Sequence, residues 1–158
     1  MNRLFVSRFD APFALLQLEH DGHTLHRLNF RSADSVADAT VPVPGWLDAP
    51  LRAYFDGQLD ALDHIPVTLA GTAFQHRVWD GLRRIPAGEA WSYARLARET
   101  GNDRACRAVG SANGRNPVAL VVPCHRVIAA DGTIGGYSSG MENKRWLLRH
   151  EGVTLRER

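Results

Sequence analysis

The chain reads as an α/β protein of the α+β kind. A small N-terminal sheet-plus-helix domain spans residues 1–70, and a mainly helical C-terminal domain with a helix-turn-helix spans 71–158. Three observations lead there. Short β-like runs crowd into the first thirty residues. Helical spacings and cap residues dominate after Gly71. The charge also changes sign between the halves: residues 1–70 hold five Arg against nine Asp/Glu, net −4, whereas residues 71–158 hold fourteen Arg/Lys against eight, net +6. With 158 residues, 44% of them hydrophobic, the chain can bury a core as one ordinary domain or two small ones.

In the first half, residues 3–9, 13–19 and 24–30 predict strands, with Asp21-Gly22 as the hairpin signal between the second and third. His20, His23 and His26 suggest a metal site, but their spacing around a turn does not share one strand face and no cysteine accompanies them, so no metal is expected. Residues 32–45 are polar and then proline-rich, and read as a connection. Asp48 reads as an N-cap with Pro50 in the first turn of a helix whose apolar stripe is Leu51, Tyr54 and Phe55, ending near Gly57. Ile65–Leu69 is a short strand or linker leading to a boundary near Gly71.

The second half opens with Thr72-Ala-Phe-Gln75, a capping box, and Phe74, Val78, Leu82 and Ile85 carry the helix until Pro86-Ala-Gly88 breaks it. Residues 92–100 and 103–112 form two short helices around Gly101-Asn102, a helix-turn-helix candidate. Ser92 and Asn102 are the expected N-caps and Gly101 the C′ residue. Leu96, Ala97, Cys106 and Val109 are the expected shared core, with Cys106 a buried, inert thiol. Arg95, Arg98, Arg104, Arg107 and Arg115 then lie outside. Met141–His150 is an amphipathic helix with Trp146 and Leu147 or Leu148 inward. This arginine-rich half suits a polyanionic partner, although a solvated surface would show the same charge.

The chemistry concentrates in Asn116–Gly140. The apolar run Val118–Val122, stopped by Pro123, predicts a short buried strand that delivers Cys124 at its end. His125 and Arg126 follow directly. A glycine-rich return, Gly135-Gly-Tyr-Ser-Ser-Gly140, can bring backbone N–H groups close to a ligand. A thiol needs a cation, an imidazole or a helix N-terminus to become nucleophilic. His125 can assist only where the backbone turns or through a water, and it needs an orienting carboxylate, for which Asp131, Glu142 and Glu151 are candidates. A zinc nucleobase deaminase would place a second cysteine three residues after the first, and that position is Val127. A cysteine hydrolase stays open on residue types, as does a lesion-binding helix-turn-helix module with a structural cysteine.

Pro123-Cys-His-Arg-Val-Ile resembles the active-site signature of the O6-alkylguanine-DNA alkyltransferases, single-turnover DNA repair proteins. The resemblance runs through residues 72–152. It includes Thr72-x-Phe-Gln, Gly88-Glu-x-x-Ser-Tyr93, Arg107-Ala-Val-Gly110, Asn113-Gly-Arg-Asn-Pro117, Gly135-Gly-Tyr-Ser138 and Lys144-x-Trp-Leu-Leu-x-His-Glu-Gly152. Residues 1–70 are similar to the family's N-terminal domain in pattern only.

The resemblance implies transfer of an alkyl group from O6 of guanine, or O4 of thymine, to Cys124. His125 takes the thiol proton through a water, Glu151 orients His125, Asn116 braces the turn before Cys124, and Tyr93 donates to guanine N3. It further implies that the Ser138 N–H, with Tyr137 beside it, holds O6. The carbonyls of Cys124 and Val127 read the exocyclic amine, Ser139 shapes the pocket mouth, and Lys144 belongs to the substrate site. Arg107 is the finger that replaces a flipped nucleotide. Ser92, Tyr93, Arg104, Asn113 and Arg115 complete a DNA face that enters the minor groove. Some relatives bind zinc through N-terminal cysteines. Here the cysteines are Cys106 and Cys124, so neither metal nor cofactor is expected. Relatives without chemistry lack the acceptor cysteine, and Cys124 sets this chain apart from them.

No apolar stretch approaches a membrane span and the N-terminus lacks a signal-peptide core, so a soluble cytoplasmic protein with reduced thiols is expected. A monomer is expected as well.

Overall fold

The computed structural model describes residues 3–32 and 40–156. Part of the connection expected over 32–45, residues 33–39, therefore lies outside the described residues. By internal contacts the chain divides into two units, Met1–Leu69 with Pro117–Val121, and Ala70–Asn116 with Val122–Arg158.

The first unit is built on a three-stranded antiparallel meander, β1 (Phe5–Asp10), β2 (Leu15–His20) and β3 (Leu25–Arg31), in the order β1-β2-β3. Alternation puts Ser7 and Phe9 of β1, and Leu16, Leu18 and His20 of β2, on the buried side. Asp21-Gly22 turns the second hairpin as expected: the Asp21 carboxylate accepts from the N–H groups of His23 and Thr24 at 2.8 Å, and Gly22 takes φ 94°. Two of the histidines have protein partners. His26 Nε2 meets Asp21 at 2.9 Å, and buried His20 takes the Gly22 N–H on Nδ1 and meets Ser7 Oγ at 2.9 Å through Nε2.

The outer edge of β3 is covered at two points. Leu25 pairs with the Pro66–Thr68 stretch, and the Leu28 N–H donates to the Pro117 carbonyl at 3.0 Å, with a bridge from Leu28 to Val118. The short strand or linker expected over Ile65–Leu69 is a connection with a single bridge at Val67. Helix α1 runs Gly45–Phe55, and Leu47, Leu51 and Tyr54 are fully buried. It starts three residues before the expected Asp48 cap, with Pro44 at the N-cap position. Proline's fixed φ and the adjoining Gly45 start the helix without a side-chain cap, and Asp48 instead pairs with Arg52 at i,i+4, 2.8 Å away.

The second unit is mainly helical: α2 (Ala73–Leu82), α3 (Tyr93–Glu99), α4 (Cys106–Gly114) and α5 (Met141–His150), with a two-residue parallel pair, β4 (Trp91–Ser92) and β5 (Val127–Ile128). The capping box is present in both directions: Thr72 Oγ1 accepts from the Gln75 N–H at 3.1 Å, and Gln75 Oε1 accepts from the Thr72 N–H at 3.0 Å. Ser92 caps α3 through the Arg95 N–H, and Gly101, at φ 93°, follows its C-cap. Trp79 Nε1–H of α2 donates to the Ala112 carbonyl of α4 at 2.9 Å, fixing the helix pair.

Three expectations differ here. Helix α2 ends at Leu82, and Ile85 is buried in the turn beyond it. Helix α4 begins at Cys106 with Ala105 as its N-cap residue, because the Asn102 side chain is used one turn earlier, accepting from the Arg104 N–H at 3.1 Å. Cys106 is exposed rather than buried, since the late start of α4 leaves Val109, Ala112 and Asn113 to form its inner face. On α5, Leu147 and Leu148 are buried, and Trp146 lies half-buried, stacked on His150 at 4.8 Å. Among the described residues no helix is long and apolar enough to cross a membrane.

Candidate functional site

Cys124 does not sit at the end of a strand. Residues 117–123 turn repeatedly, and Cys124–Arg126 form a single 3₁₀ turn leading into β5. The apolar run is buried throughout, but burial rather than extension explains it: Leu120 takes φ 76°, which no strand admits. Asn116 Nδ2 donates to the Val122 carbonyl at 2.7 Å and closes this five-residue excursion at its base, directly ahead of Cys124.

The 3₁₀ turn solves the geometric problem that adjacent side chains pose in a strand. Its tight winding lets Cys124, His125 and Arg126 all be buried, each with its own surroundings. His125 Nε2–H donates to Glu151 Oε2 at 2.9 Å. Arg126 grips the same carboxylate with two donors, Nε to Oε1 at 2.8 Å and an η-nitrogen to Oε2 at 3.1 Å, while its other η-nitrogen donates to the Ile85 carbonyl at 2.7 Å. Glu151 is the C-cap residue of α5. Of the three carboxylates open at the sequence level, it alone meets His125; Asp131 is used in its own turn with Thr133.

The charges follow from these contacts. Burial alone would push the Glu151 carboxyl up, but His125 and the Arg126 guanidinium hold it well below the usual carboxylate range. Burial pushes the His125 imidazole down, with Arg126 and Lys144 adding to that effect against the pull of Glu151. A neutral ring donating through Nε2 leaves Nδ1 as an acceptor, and Nδ1 is buried with no protein partner among the described residues. The Cys124 thiol is pushed up by burial, partly offset by hydrogen bonds with Asn116 and Tyr137 and by the Lys144 charge. The resting site therefore holds a protonated thiol and a neutral base beside a fixed carboxylate.

Lys144, the chain's one lysine, is fully buried on the inner face of α5. Its Nζ donates to the Val127 carbonyl at 2.7 Å and to the Gly136 carbonyl at 2.9 Å, tying β5 to the glycine-rich loop. Burial lowers its pKa to about 8, and the nearby Cys124 opposes that shift. The loop is tied a second time where the Ser138 hydroxyl donates to the Gly114 carbonyl at 3.2 Å, and Ser139 accepts through its carbonyl from Asn143.

Between this loop and α4 opens a cavity of about 190 Å³ lined by Tyr93, Gly110, Asn113, Gly114, Gly136, Tyr137 and Ser138. It falls below the ~300–1,000 Å³ of ordinary small-molecule sites, so it suits one compact group rather than an extended ligand. Burial raises the Tyr93 pKa, and a Cys124 thiolate would raise it further, so its hydroxyl stays a donor. A larger cleft of about 470 Å³ in the first unit is flanked by Arg8–Asp10 and Arg52–Asp48, whose charges already neutralise one another.

Residues 73–153 match the family described as 6-O-methylguanine DNA methyltransferase, DNA binding domain. The methylated-DNA–protein-cysteine methyltransferase of Shigella flexneri is 52% identical over 71% of this chain, a stretch that makes up 66% of that protein, just under two thirds of its length. The protein of that name from Methanosarcina acetivorans is 38% identical, with 94% of this chain and 99% of that one covered. The crystal structure of Mycobacterium tuberculosis OGT in complex with DNA superposes with a TM-score of 0.78 at 41% identity, covering 92% of this chain and 91% of that one. This chain belongs to the methylated-DNA–protein-cysteine methyltransferase family.

The remaining expected residues fall into two groups. Arg104, Arg107 and Arg115 are exposed on and around α4, and Arg95 and Arg98 are exposed on α3. Ser92 serves the fold by capping α3. Asn113 is 5% exposed and belongs to the cavity wall, with Nδ2 donating to the Cys124 carbonyl at 3.5 Å. The spacing could have revealed this, because Val109, Ala112 and Asn113 stand at i, i+3 and i+4 on one helical face. The same rule places Lys144 with Leu147, Leu148 and Glu151. Arg126 was legible only as a cation beside the thiol, whereas the structure turns it to Glu151.

Proposed function

We propose that the protein repairs alkylated DNA by direct reversal, moving a methyl or larger alkyl group from O6 of guanine to Cys124 in a single turnover. The observation that carries this reading is the buried line Cys124, His125, Glu151, Arg126 beside a cavity sized for one base. His125 Nδ1 takes the thiol proton, directly or through a water, and the imidazolium so formed is stabilised by Glu151. The sulfur attacks the alkyl carbon, the S–C bond forms as the C–O6 bond breaks, and the electron pair leaves on guanine. Tyr93 donates to the departing base, and the Ser138 N–H holds O6. The product is a thioether. None of the described side chains at the site is placed to cleave it, so each molecule acts once. The exposed arginines of α3 and α4 supply phosphate contacts. α4 enters the minor groove, the base is flipped into the cavity, and the first unit is structural. The protein works as a monomer in the cytoplasm.

Intact mass after incubation with an O6-methylguanine duplex tests the reading. A gain of one methyl on Cys124, without turnover, is expected. A cysteine hydrolase would end unmodified and turn over a simple ester, and a lesion-binding module would stay unmodified and turn over nothing.

Two variants separate the roles. Glu151→Gln should slow single-turnover transfer by about tenfold or more, the range a general base supplies, without weakening DNA binding. The rate is to be normalised to folded protein, because the same change loosens Arg126. An unchanged rate would remove Glu151 from the relay.

Arg107→Ala should slow repair of duplex DNA strongly, less so where the lesion faces a mismatch, and leave reaction with a free alkylated guanine nearly unchanged, because a free base need not be unstacked. Equal losses on duplex and free base would place Arg107 in the fold or the pocket instead.

A further inference from the structure

Trp91 opens β4, pairs with Val127 of β5 and is 5% exposed. Its Nε1–H is buried with no partner among the described residues. A buried indole N–H usually finds an acceptor, so this one carries an uncompensated cost. A leucine would fill the place without an orphan donor. What the indole adds is a broad electron-rich face, and that face is in use. The Arg95 guanidinium lies over it, 4.4 Å from the ring centroid.

Arg95 is held at both ends. Its backbone N–H donates to Ser92 Oγ, the cap of α3, at 3.1 Å, and its side chain rests on the Trp91 ring. Arg95 is exposed, and no carboxylate among the described residues pairs with it. Among the described residues, it is also the one exposed arginine of α3 and α4 that lies over an aromatic ring. Stacking occupies a guanidinium face and leaves the N–H donors on its edge, where a phosphate can take two of them. We propose that Trp91 is a positioning residue for DNA binding, whose ring sets the Arg95 guanidinium in place to grip a duplex phosphate beside the start of α3. An arginine loses rotamer freedom when it closes on a phosphate. One already laid on an aromatic face has lost part of that freedom beforehand, so less is lost on binding.

This inference rests on DNA as the partner in the reading above, and one experiment keeps the two apart. Equilibrium binding of an O6-methylguanine duplex to Cys124→Ser protein and its variants is measured across a salt series. Arg95→Ala should weaken binding and lower the salt slope by about one, the loss of a single phosphate contact. Trp91→Leu should weaken binding by about threefold at unchanged net charge, the size of a partly exposed cation–π contact, and should add nothing in the Arg95→Ala background. Trp91→Phe keeps an aromatic face and should retain most of the affinity that the leucine variant loses. Trp91→Met, whose flexible side chain fills irregular gaps, repeats the test should the leucine variant not fold. Equal weakening by Trp91→Leu in both backgrounds would show that the ring serves the core alone, and the inference would fall. An unchanged salt slope in Arg95→Ala would show that Arg95 meets no phosphate, and would overturn it as well. Protein with Cys124 intact that binds the duplex with this pattern but gains no methyl would overturn the repair reading alone. Protein that binds no duplex would overturn both.

Discussion

Replacing Cys124 with serine is expected to abolish methyl transfer while leaving DNA binding intact. His125 can draw a proton from a thiol, but a hydroxyl is a far weaker acid, and the same neutral imidazole cannot generate useful alkoxide. The oxygen is smaller than sulfur yet fits the same contacts, because Asn116 and Tyr137 can hydrogen-bond a hydroxyl as they do the thiol. The exposed arginines of α3 and α4 are untouched. Intact mass after a long incubation with O6-methylguanine duplex checks the first half, and a binding isotherm at fixed salt checks the second. Stoichiometric methylation of the serine variant would show that the acceptor lies elsewhere. Exposed Cys106 would be the first place to look.

The second large effect is on stability. Arg126→Met should destabilise the protein by about 3–5 kcal/mol, the usual penalty for stripping one partner from a buried ion pair. The Arg126 and Glu151 side chains are 4% and 0% exposed, so water cannot replace the lost donors. The Ile85 carbonyl loses its donor as well. Denaturant titration measures the loss. A second change, Glu151→Gln in the methionine background, should recover part of it by removing the orphaned charge, and that non-additivity is the mark of direct coupling. A loss under about 1 kcal/mol would mean that the pair is solvated and contributes as little as a surface bridge.

The acid side follows from the same pair. Glu151 is held below its unfolded value of 4.5, so its contribution is fully present above that pH and is lost as pH falls through the lower folded value. The native protein should therefore weaken progressively in acid below about pH 4.5, and the double variant should lose that component of the pH dependence.

What the sequence disclosed depended on how local each cause was. The Thr72–Gln75 box, the Asp21-Gly22 turn, the Ser92 cap and the Gly101 terminator are decided within four residues, and each is in place. Cys106 and Asn102 were misplaced because α4 starts at Cys106, three residues later than its composition suggests, which leaves Asn102 ahead of the helix and Cys106 in its open first turn, while Val109 keeps its expected place in the core. The apolar run before Cys124 hid a chain reversal, since hydrophobicity marks burial but carries no φ angle. Arg126 escaped because its carboxylate lies twenty-five positions away. Adjacency in sequence suggested the thiol instead.

The edge of β3 has a consequence for the order of events during synthesis. Leu28 finds its backbone partner in Pro117, eighty-nine positions later. The N-terminal sheet can pair its three strands soon after they leave the ribosome, but its outer edge stays partly bare until residue 117 has emerged. At roughly 5–20 residues per second, the wait from residue 69 is on the order of several seconds, an interval in which an open strand edge can recruit a second nascent chain. The stretch that closes that edge, Pro117–Val121, leads directly to Cys124. Completion of the sheet and delivery of the reactive thiol are thus consecutive steps of one growing chain, and a ribosome stalled between residues 70 and 116 would present the sheet with its edge still open.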